Sequence, residues 1–314
     1  MLSKFLDPKH DFAFKRIFGT EKNKDILIHF LNDILDCRGQ QTILNVTYLK
    51  THQDPEIAAQ KLSLVDVLCE DDAGRQYIVE MQVAKIAGFE KRAQYYAAKA
   101  YSRQLDGGEN YHDLKEVIFL AITDFVMFPD KERYLCHHVI LDKETHHHHL
   151  KDFSFTFLEL PKFHKTIDHL STMVDKWAYF FKHAEETTEA ELLKIVGHDT
   201  VLAKAYEQLN QFSFSKIELM DYERAEQRDR DTAGAFLNAR LEGEAIGEAR
   251  GKARGEAKLR KEKAKADAKL REEKIKADAK LLQEKKEIAK KLLAQGLSKT
   301  TISEITGLTP DEIN

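Results

Sequence analysis

Two acidic residues, Asp66 and Glu80, are the part of this chain whose types and spacing point most directly to chemistry. They lie on two apolar, β-rich segments, residues 62–69 and 76–83, which are joined by a polar turn that ends in Gly74. Three-residue hairpin loops prefer glycine at their last position. The sequence therefore predicts a β-hairpin that carries one carboxylate on each strand.

The register of this hairpin decides whether the two acids meet. If residues 72–74 form the loop, Asp71 pairs with Arg75, and counting inward places Asp66 opposite Glu80. Opposed Cβ atoms lie about 4.5–5.5 Å apart, and two like charges at that distance destabilise a sheet. A divalent cation would remove the repulsion, and Mg²⁺ suits such a pair because it binds one or two carboxylates together with waters and phosphate oxygens. The alternative is a register shifted by one residue, with both acids at an edge and facing solvent.

Gln82 extends the acidic pair. Alternate residues of a strand point to the same face, so Gln82 lies beside Glu80, whereas Met81 points to the other face. A metal held by the two acids would polarise a phosphodiester and lower the pKa of its bound water. A polar group two residues on would position that water or stabilise the developing charge. Asp66, Glu80 and Gln82 are thus the candidate catalytic residues.

Composition limits the class of protein. The chain has 314 residues and is 42% hydrophobic, which is enough for one large domain or two moderate ones. It has no apolar run long enough to span a membrane and no signal-peptide core, so we expect a cytoplasmic protein without a membrane partner. Its three cysteines are too few and too scattered for a disulfide framework or a zinc cluster.

Charge is distributed unevenly along the chain. The formal net charge is −4, but residues 241–291 contain 17 Lys and Arg against 11 Asp and Glu, a net of +6. The rest of the chain therefore carries a net charge of −10. A basic arm can bind phosphates locally, whereas the acidic remainder argues against DNA as a ligand.

The periodicity of apolar residues predicts a mixed α/β domain over residues 1–166. Helical spacing covers residues 9–36, with a break at Gly19–Thr20, and residues 89–104. Besides the two hairpin strands, β-rich runs predict strands over 43–49, 116–123, 134–141 and 153–160.

Beyond residue 166 the sequence predicts only helices. A helical extension over 167–215 has short helices at 167–183, 188–195 and 200–211, and a long charged helix follows over 216–291. Ala-Lys-Leu recurs every 11 residues, ending at Leu259, Leu270 and Leu281, which places one thin apolar stripe along a nearly straight helix. The stripe indicates either a homodimer through this helix or a solvated spacer. Four glycines at 243, 247, 251 and 255 are expected to weaken the helix.

Residues 292–314 predict a small helical tip. Gly296 ends one helix, Ser298 can cap the next, and Thr309–Pro310 can start a third. Short helices joined by glycine turns resemble part of a helix-turn-helix. The tip is interpreted either as a DNA- or partner-binding element or, as we favour from sequence alone, as a small bundle that closes the long helix.

The order of elements, together with Asp66, Glu80 and Gln82, resembles the PD-(D/E)XK nuclease superfamily. Residues 5 to about 165 more specifically resemble the bacterial recombination-promoting nuclease (Rpn-type) and transposase family. The C-terminal Gly-Leu-Ser and Ile-Thr-Gly-Leu-Thr segments are also similar to tails in that family. The matching pieces of the first half are residues 7–19 (DPKHDFAFKRIFG), 65–68 (VDVL), 78–82 (IVEMQ), 92–101 (RAQYYAAKAY) and 158–163 (LELPKF).

The resemblance implies a Mg²⁺-dependent DNA endonuclease linked to recombination or mobile elements. It implies Asp66 and Glu80 as metal ligands, with the backbone carbonyl of Met81 as a third. Gln82 stands where the general superfamily pattern has lysine, and a neutral amide cannot neutralise charge or act as a base near pH 7.

Three basic residues are candidates for supplying charge to DNA. Arg92 and Lys99 are seven apart on one predicted helix face, where either could replace the missing lysine or be an ordinary solvated side chain. Lys15 lies four residues after Asp11 and either pairs with it or reaches the site. A second interpretation of the whole chain is a catalytically degenerate nuclease fold that binds DNA or mediates assembly.

Overall fold

The computed structural model describes residues 4–49, 65–105 and 110–313. The predicted start of the first hairpin strand, residues 62–64, lies outside these ranges. The chain forms two compact units, Met1–Arg230 and Asp231–Asn314.

The first unit is a mixed sheet flanked by helices, and the second unit contains the greater part of a long helix. The predicted α/β fold class with an all-α C-terminal region is therefore confirmed. The elements are α1 (Asp11–Phe18), α2 (Lys24–Ile34), β1 (Val46–Tyr48), β2 (Val67–Asp71), β3 (Gln76–Gln82), α3 (Phe89–Arg103), β4 (Val117–Thr123), β5 (Leu135–Val139), β6 (Phe153–Glu159), α4 (Met173–His183), α5 (Glu189–Val196), α6 (Thr200–Gln208), α7 (Lys216–Ala294) and α8 (Lys299–Thr306).

The six-stranded sheet has the order β1-β2-β3-β4-β6-β5. Strands β1, β2 and β3 are antiparallel neighbours, β3, β4 and β6 run parallel, and β5 returns antiparallel to β6. Every residue of β4 is buried. This burial explains the continuous apolar run in its sequence, because a strand covered on both faces needs no polar alternation.

One face of the sheet packs against α1, α2, α4 and α6, and the other packs against α3. On the first face Trp177 of α4 contacts Phe18 and Phe30, with ring centroids 6.2 and 5.2 Å apart. On the second face Ala93 and Ala97 are buried, and these small side chains let α3 lie close to the sheet. The helices after residue 166 thus share the core of the first unit, which extends to Arg230. The predicted domain boundaries remain predictions.

Strand β1 is shorter than the predicted 43–49. The Asn32 side chain explains the late start, because it bonds both backbone groups of Ile43: its Nδ2 donates to the Ile43 carbonyl at 2.9 Å and its Oδ1 accepts the Ile43 N–H at 2.8 Å. These groups are therefore engaged away from the strand ladder.

The long helix α7 is continuous from Lys216 to Ala294, including its four glycines. In the second unit Gly296 has φ +81°, and the Ser298 side chain caps α8 by accepting the Thr301 N–H. The predicted third helix at Thr309–Pro310 is a turn instead. A small cluster of Ala289, Ile302, Leu308 and Ile313 joins these pieces.

Among the residues that the structure describes, no helix is long and apolar enough to cross a membrane.

A charged group inside the helical core predicts a pH dependence of stability. His29 Nδ1 lies 2.8 Å from Asp33 and its Nε2 lies 3.1 Å from Asp199. These carboxylates, Asp33 first, raise the pKa of His29 above its usual value. Stabilisation by the protonated imidazole is complete below the unfolded pKa of about 6.5 and is lost as pH rises through the higher folded pKa.

We expect His29→Gln to lower the free energy of unfolding by about 1 kcal/mol at pH 6 and by less above the folded pKa. Urea unfolding followed by the fluorescence of Trp177, whose ring lies 6.0 Å from that of His29, measures this difference. His112→Gln is the control, because the His112 side chain is 90% exposed. An equal loss of unfolding free energy at pH 6 and above the folded pKa of His29 would contradict the ion-pair explanation.

Candidate active site

The hairpin has the register predicted from its sequence. The last ladder pair joins Val67 to Val79, so the next position places Asp66 opposite Glu80. Gly74 adopts the left-handed conformation with φ +80°, which a side chain would strain. The turn thus fixes the register that brings the two acids together.

The two carboxylates continue the hairpin beyond its last ladder pair. Asp66 Oδ2 accepts the N–H of Met81 at 2.8 Å, and Glu80 Oε1 accepts the N–H of Asp66 at 3.3 Å. Each side chain therefore bonds a backbone amide of the opposite strand. This reciprocal arrangement uses one oxygen of each carboxylate and holds both groups at the end of the hairpin.

The second oxygen of each carboxylate faces a cation that stays beyond hydrogen-bond distance. Asp66 Oδ1 lies 3.8 Å from Lys15 Nζ of α1, and Glu80 Oε2 lies 3.8 Å from Arg92 Nη2 of α3. Lys15 lies closer to Asp11, at 2.6 Å, so it makes both contacts that the sequence left as alternatives. Two helices from opposite sides of the sheet thus place positive charge beside the pair.

Burial and mutual repulsion make this pair costly to ionise. The Glu80 side chain is only 5% exposed. Its burial, followed by the charge of Asp66, raises the pKa of Glu80 to about 8. Burial likewise raises the pKa of Asp66. Without a counter-ion the two groups therefore resist carrying two negative charges near neutral pH.

Gln82 is held at both ends of its amide. Its Oε1 accepts a short hydrogen bond from Arg92, and its Nε2 donates to the carbonyl of Ala84 at 3.0 Å. The guanidinium of Arg92 also lies over the Phe89 ring, 4.8 Å from its centroid. Gln82 therefore positions Arg92, so that a positive charge lies beside the position where the general superfamily pattern has lysine. The sequence indicated Arg92 only through its helix face.

Lys99 does not reach the carboxylates by any described contact. Its Nζ lies 5.7 Å from the centroid of the Tyr95 ring, farther along α3. Of the three basic residues predicted to contact DNA, the structure brings Lys15 and Arg92 to the acidic pair, whereas Lys99 lies about two helical turns beyond Arg92 on α3. Their roles toward DNA remain predictions.

The donor set fits a small, hard cation. Within the described residues no group of three or more His, Cys, Asp or Glu side chains is arranged to hold a metal. Asp66 and Glu80 instead offer one oxygen each that accepts neither backbone hydrogen bond and lies 3.8 Å from Lys15 or Arg92. Mg²⁺ requires no more than this from protein side chains, because waters and substrate phosphates complete its coordination.

The Leu-Glu-Leu-Pro-Lys-Phe segment, which covers the last two residues of β6 and the turn after it, is structural. Glu159 is fully buried and accepts the N–H groups of Met127 and Phe128 at 2.7 and 3.1 Å. Lys162 pairs with Glu159 at 2.7 Å and also donates to the carbonyl of Phe128 at 2.7 Å. This buried ion pair fixes the loop that follows β4.

Comparison with known families identifies the protein class that this hairpin and sheet define. Residues 8–239, well over half of the chain, match the model of the PD-(D/E)XK nuclease family transposases, and the chain belongs to that family. Residues 282–314 match the C-terminal helix-turn-helix domain of the Rpn/YhgA-like nuclease family. The resemblance stated from the sequence is confirmed. No curated protein and no solved structure matches the chain.

The C-terminal match bears on both interpretations of the tip. Residues 282–314 match a helix-turn-helix domain, and the cluster around Ile302 closes the end of α7. Gly296 and Ser298 are compatible with both interpretations, because a short capped helix after a glycine turn is common to both kinds of structure.

The repulsion between Asp66 and Glu80 predicts a stabilising substitution. In metal-free buffer at pH 8 we expect Glu80→Gln to raise the free energy of unfolding by at least about 1 kcal/mol. The raised folded pKa of Glu80 makes the wild type lose stability as pH rises from about 4.3, the unfolded value, toward 8. Glutamine keeps an acceptor for the Asp66 N–H and carries no charge. Urea unfolding at pH 5 and pH 8, with chelator present, measures the difference.

Glu90→Gln, at an exposed position of α3, is the matched control and should change little. Adding Mg²⁺ should stabilise the wild type more than Glu80→Gln, since a ligand stabilises the state that binds it. A Glu80→Gln protein that is less stable than wild type at pH 8 would contradict the repulsion argument.

Proposed function

We propose that the protein is a metal-dependent DNA endonuclease that hydrolyses phosphodiester bonds and is associated with DNA recombination or mobile elements. The observation that carries this proposal is the opposed pair of Asp66, which is half-buried, and Glu80, which is buried, each with one oxygen that makes neither backbone hydrogen bond. Membership of a PD-(D/E)XK nuclease family supports the same chemistry.

In this proposal Asp66 and Glu80 hold Mg²⁺, and the backbone carbonyl of Met81 is a third ligand. The ion would supply Lewis-acid activation of the phosphodiester. Lys15 and Arg92 bind the non-bridging phosphate oxygens and offset their charge. Gln82 is a positioning residue, because its contact is to Arg92 rather than to a group of the substrate.

The partner in this proposal is DNA, bound in the cytoplasm. The first unit contributes the cations beside the acidic pair, Lys15 and Arg92. These cations can attract a phosphate at short range, although the chain outside residues 241–291 has a net negative charge. The C-terminal helix-turn-helix domain provides a second DNA contact, since such domains place one helix in the major groove.

A second candidate is a catalytically degenerate nuclease fold that binds DNA or mediates assembly. The observation that favours it is Gln82, whose neutral amide bonds Arg92 and Ala84 and cannot supply the charge of a lysine. The two candidates predict different effects on DNA cleavage when a carboxylate of the pair is removed, because only the first requires the pair for a chemical step.

Plasmid cleavage tests the proposed function. We expect purified wild type to nick DNA with Mg²⁺ and not with chelator. Asp66→Ala and Glu80→Ala should each lower the rate about a hundred-fold or more, as expected when a group that holds the activating ion is removed. Glu70→Ala, on the same hairpin but four residues from Asp66, is the matched control and should cleave normally. Loss of cleavage with retained DNA binding would place both acids in the chemical step.

No cleavage by wild type over several metals and DNA forms would instead favour the degenerate fold. Equal activity of wild type and both alanine variants would mean that the cleavage comes from a contaminant.

We also propose that α7 pairs with α7 of a second copy. Its apolar stripe stays exposed, with Leu259 and Leu270 each 68% and Leu281 53% exposed. The 11-residue repeat sets these residues at equal steps on one face, so a parallel partner in register meets each of them with the same residue. The net charge of +6 over residues 241–291 opposes pairing, and salt screens that charge.

We therefore expect a dimer that tightens as salt concentration rises. Leu270→Glu should shift the protein toward monomer in sedimentation equilibrium, because it places two charges opposite each other in the stripe. Ala268→Glu adds the same charge about 200° around the helix and should have little effect. A monomer at all salt concentrations would favour the solvated spacer.

A further inference from the structure

The side chains of α3 beyond Arg92 form a feature that phosphodiester hydrolysis alone does not use. Tyr96, Lys99 and Arg103 follow Arg92 at steps of four, three and four, so they share one helix face. Together with strand-side residues they line an open, shallow cleft whose enclosed volume is only about 20 Å³. We call this the α3 cleft; its main lining residues are Val65, Leu68, Ile78, Tyr96, Lys99 and Arg103.

The α3 cleft adjoins the acidic pair. Leu68 pairs with Ile78, and this pair lies two residues along β2 and β3 from Asp66 and Glu80, on the same face of the hairpin. Two strand residues span about 7 Å. The cleft is thus within reach of one nucleotide whose phosphate lies at the carboxylates.

Arg92 lies between the acidic pair and the α3 cleft. Its Nη2 lies 3.8 Å from Glu80 Oε2, and its guanidinium carbon lies 5.8 Å from the centroid of the Tyr96 ring. One helix face therefore runs without interruption from the proposed phosphate contact to the aromatic wall of the cleft.

The lining of the α3 cleft suits a nucleobase better than a phosphate. Its floor is apolar, formed by Val65, Leu68 and Ile78, and a phosphate placed on it would lose hydration without gaining a donor. Tyr96 offers an aromatic face, and aromatic side chains stack on any base. Lys99 and Arg103 stand beside this wall, where they can contact the neighbouring phosphates of the same strand.

An intact duplex presents no group that fits this cleft. In B-form DNA the bases are stacked, and only their edges are exposed in the grooves. A base can lie on Tyr96 only after it has left the stack, which costs least where the nucleotide is already unpaired.

Resting on the nuclease function proposed above, we infer that the α3 cleft receives the unpaired base of the nucleotide next to the scissile phosphate. The cleft is shallow, so the base lies across it with one face on Tyr96. The preferred substrate class is therefore single-stranded or frayed DNA rather than continuous duplex.

Fluorescence anisotropy of the full chain tests this inference in metal-free buffer, where cleavage does not interfere. The probes are a labelled single strand and the blunt duplex of the same sequence. We expect Tyr96→Ala to weaken single-strand binding about ten-fold, the effect of losing one stacked base. Duplex binding, which includes the contact proposed for the helix-turn-helix domain, should stay unchanged. The single-strand preference, taken as the ratio of the two affinities, should therefore fall by about the same factor.

Two further variants distinguish a loss of base stacking from a loss of folding as the cause of weaker single-strand binding. Tyr96→Phe keeps the ring and should bind as wild type, and Tyr96→Leu keeps apolar volume but should lose the single-strand preference, which preserves the test if Tyr96→Ala does not fold. Tyr111→Ala is the matched control, because Tyr111 is 84% exposed on a turn outside the cleft.

Two outcomes would overturn the inference: an equal loss of single-strand and duplex affinity in Tyr96→Ala, or the same loss of single-strand affinity in Tyr111→Ala. If Mg²⁺-dependent cleavage requires Glu80 but Tyr96→Ala keeps the wild-type preference, the nuclease proposal stands and this inference fails. If no form cleaves DNA, the nuclease proposal fails, and the binding comparison still decides whether Tyr96 contacts a base.

Discussion

Two like charges opposed at the end of a buried hairpin are the constraint around which this site is arranged. Asp66 and Glu80 cannot move apart, because each bonds a backbone N–H of the opposite strand. Water gives little relief at Glu80, which is nearly fully buried. The surrounding fold therefore has to supply positive charge, and it does so from α1 and α3 without closing the contact to either carboxylate. A bound cation would stabilise the ionised carboxylates of such a site.

The position of β3 inside the sheet explains why Glu80 is so well buried. β3 lies between the antiparallel β2 and the parallel β4, and β4 is buried along its whole length. One face of this strand group packs against the aromatic core around Trp177 and the other packs against the alanine face of α3. The helices after residue 166 are thus part of what holds the hairpin, although they contribute no described contact to the carboxylates themselves.

Gln82 stands where the general superfamily pattern has lysine, and its contacts show where the nearby positive charge lies instead. A lysine at that position would bring its own charge to the phosphate. Here Arg92 of α3 lies beside this position, and the amide of Gln82 accepts a hydrogen bond from its guanidinium. An arginine offers a planar set of donors that can contact two oxygens at once. In the proposed function, the positive charge near the phosphate would therefore come from the helix and not from the strand.

Much of the fold and part of the candidate site followed from the sequence alone. The turn ending in Gly74 and the count inward from it specified which two acids face each other, because hairpin register depends on local turn chemistry. Helix and strand positions followed from periodicity for the same local reason. The start of β1 was misplaced, since it depends on Asn32, a residue of another element.

Tertiary structure decided which basic side chains reach the carboxylates and which distant residues share the core. That Lys15 and Arg92 reach the carboxylates while Lys99 lies beside Tyr95 depends on how α1 and α3 pack on the sheet, which no local pattern contains. That Trp177 joins the core of the first helices depends on contacts between residues far apart in the chain. The sequence by itself determined the acidic pair and its opposition, whereas long-range packing determined its burial, its raised pKa and the cations around it.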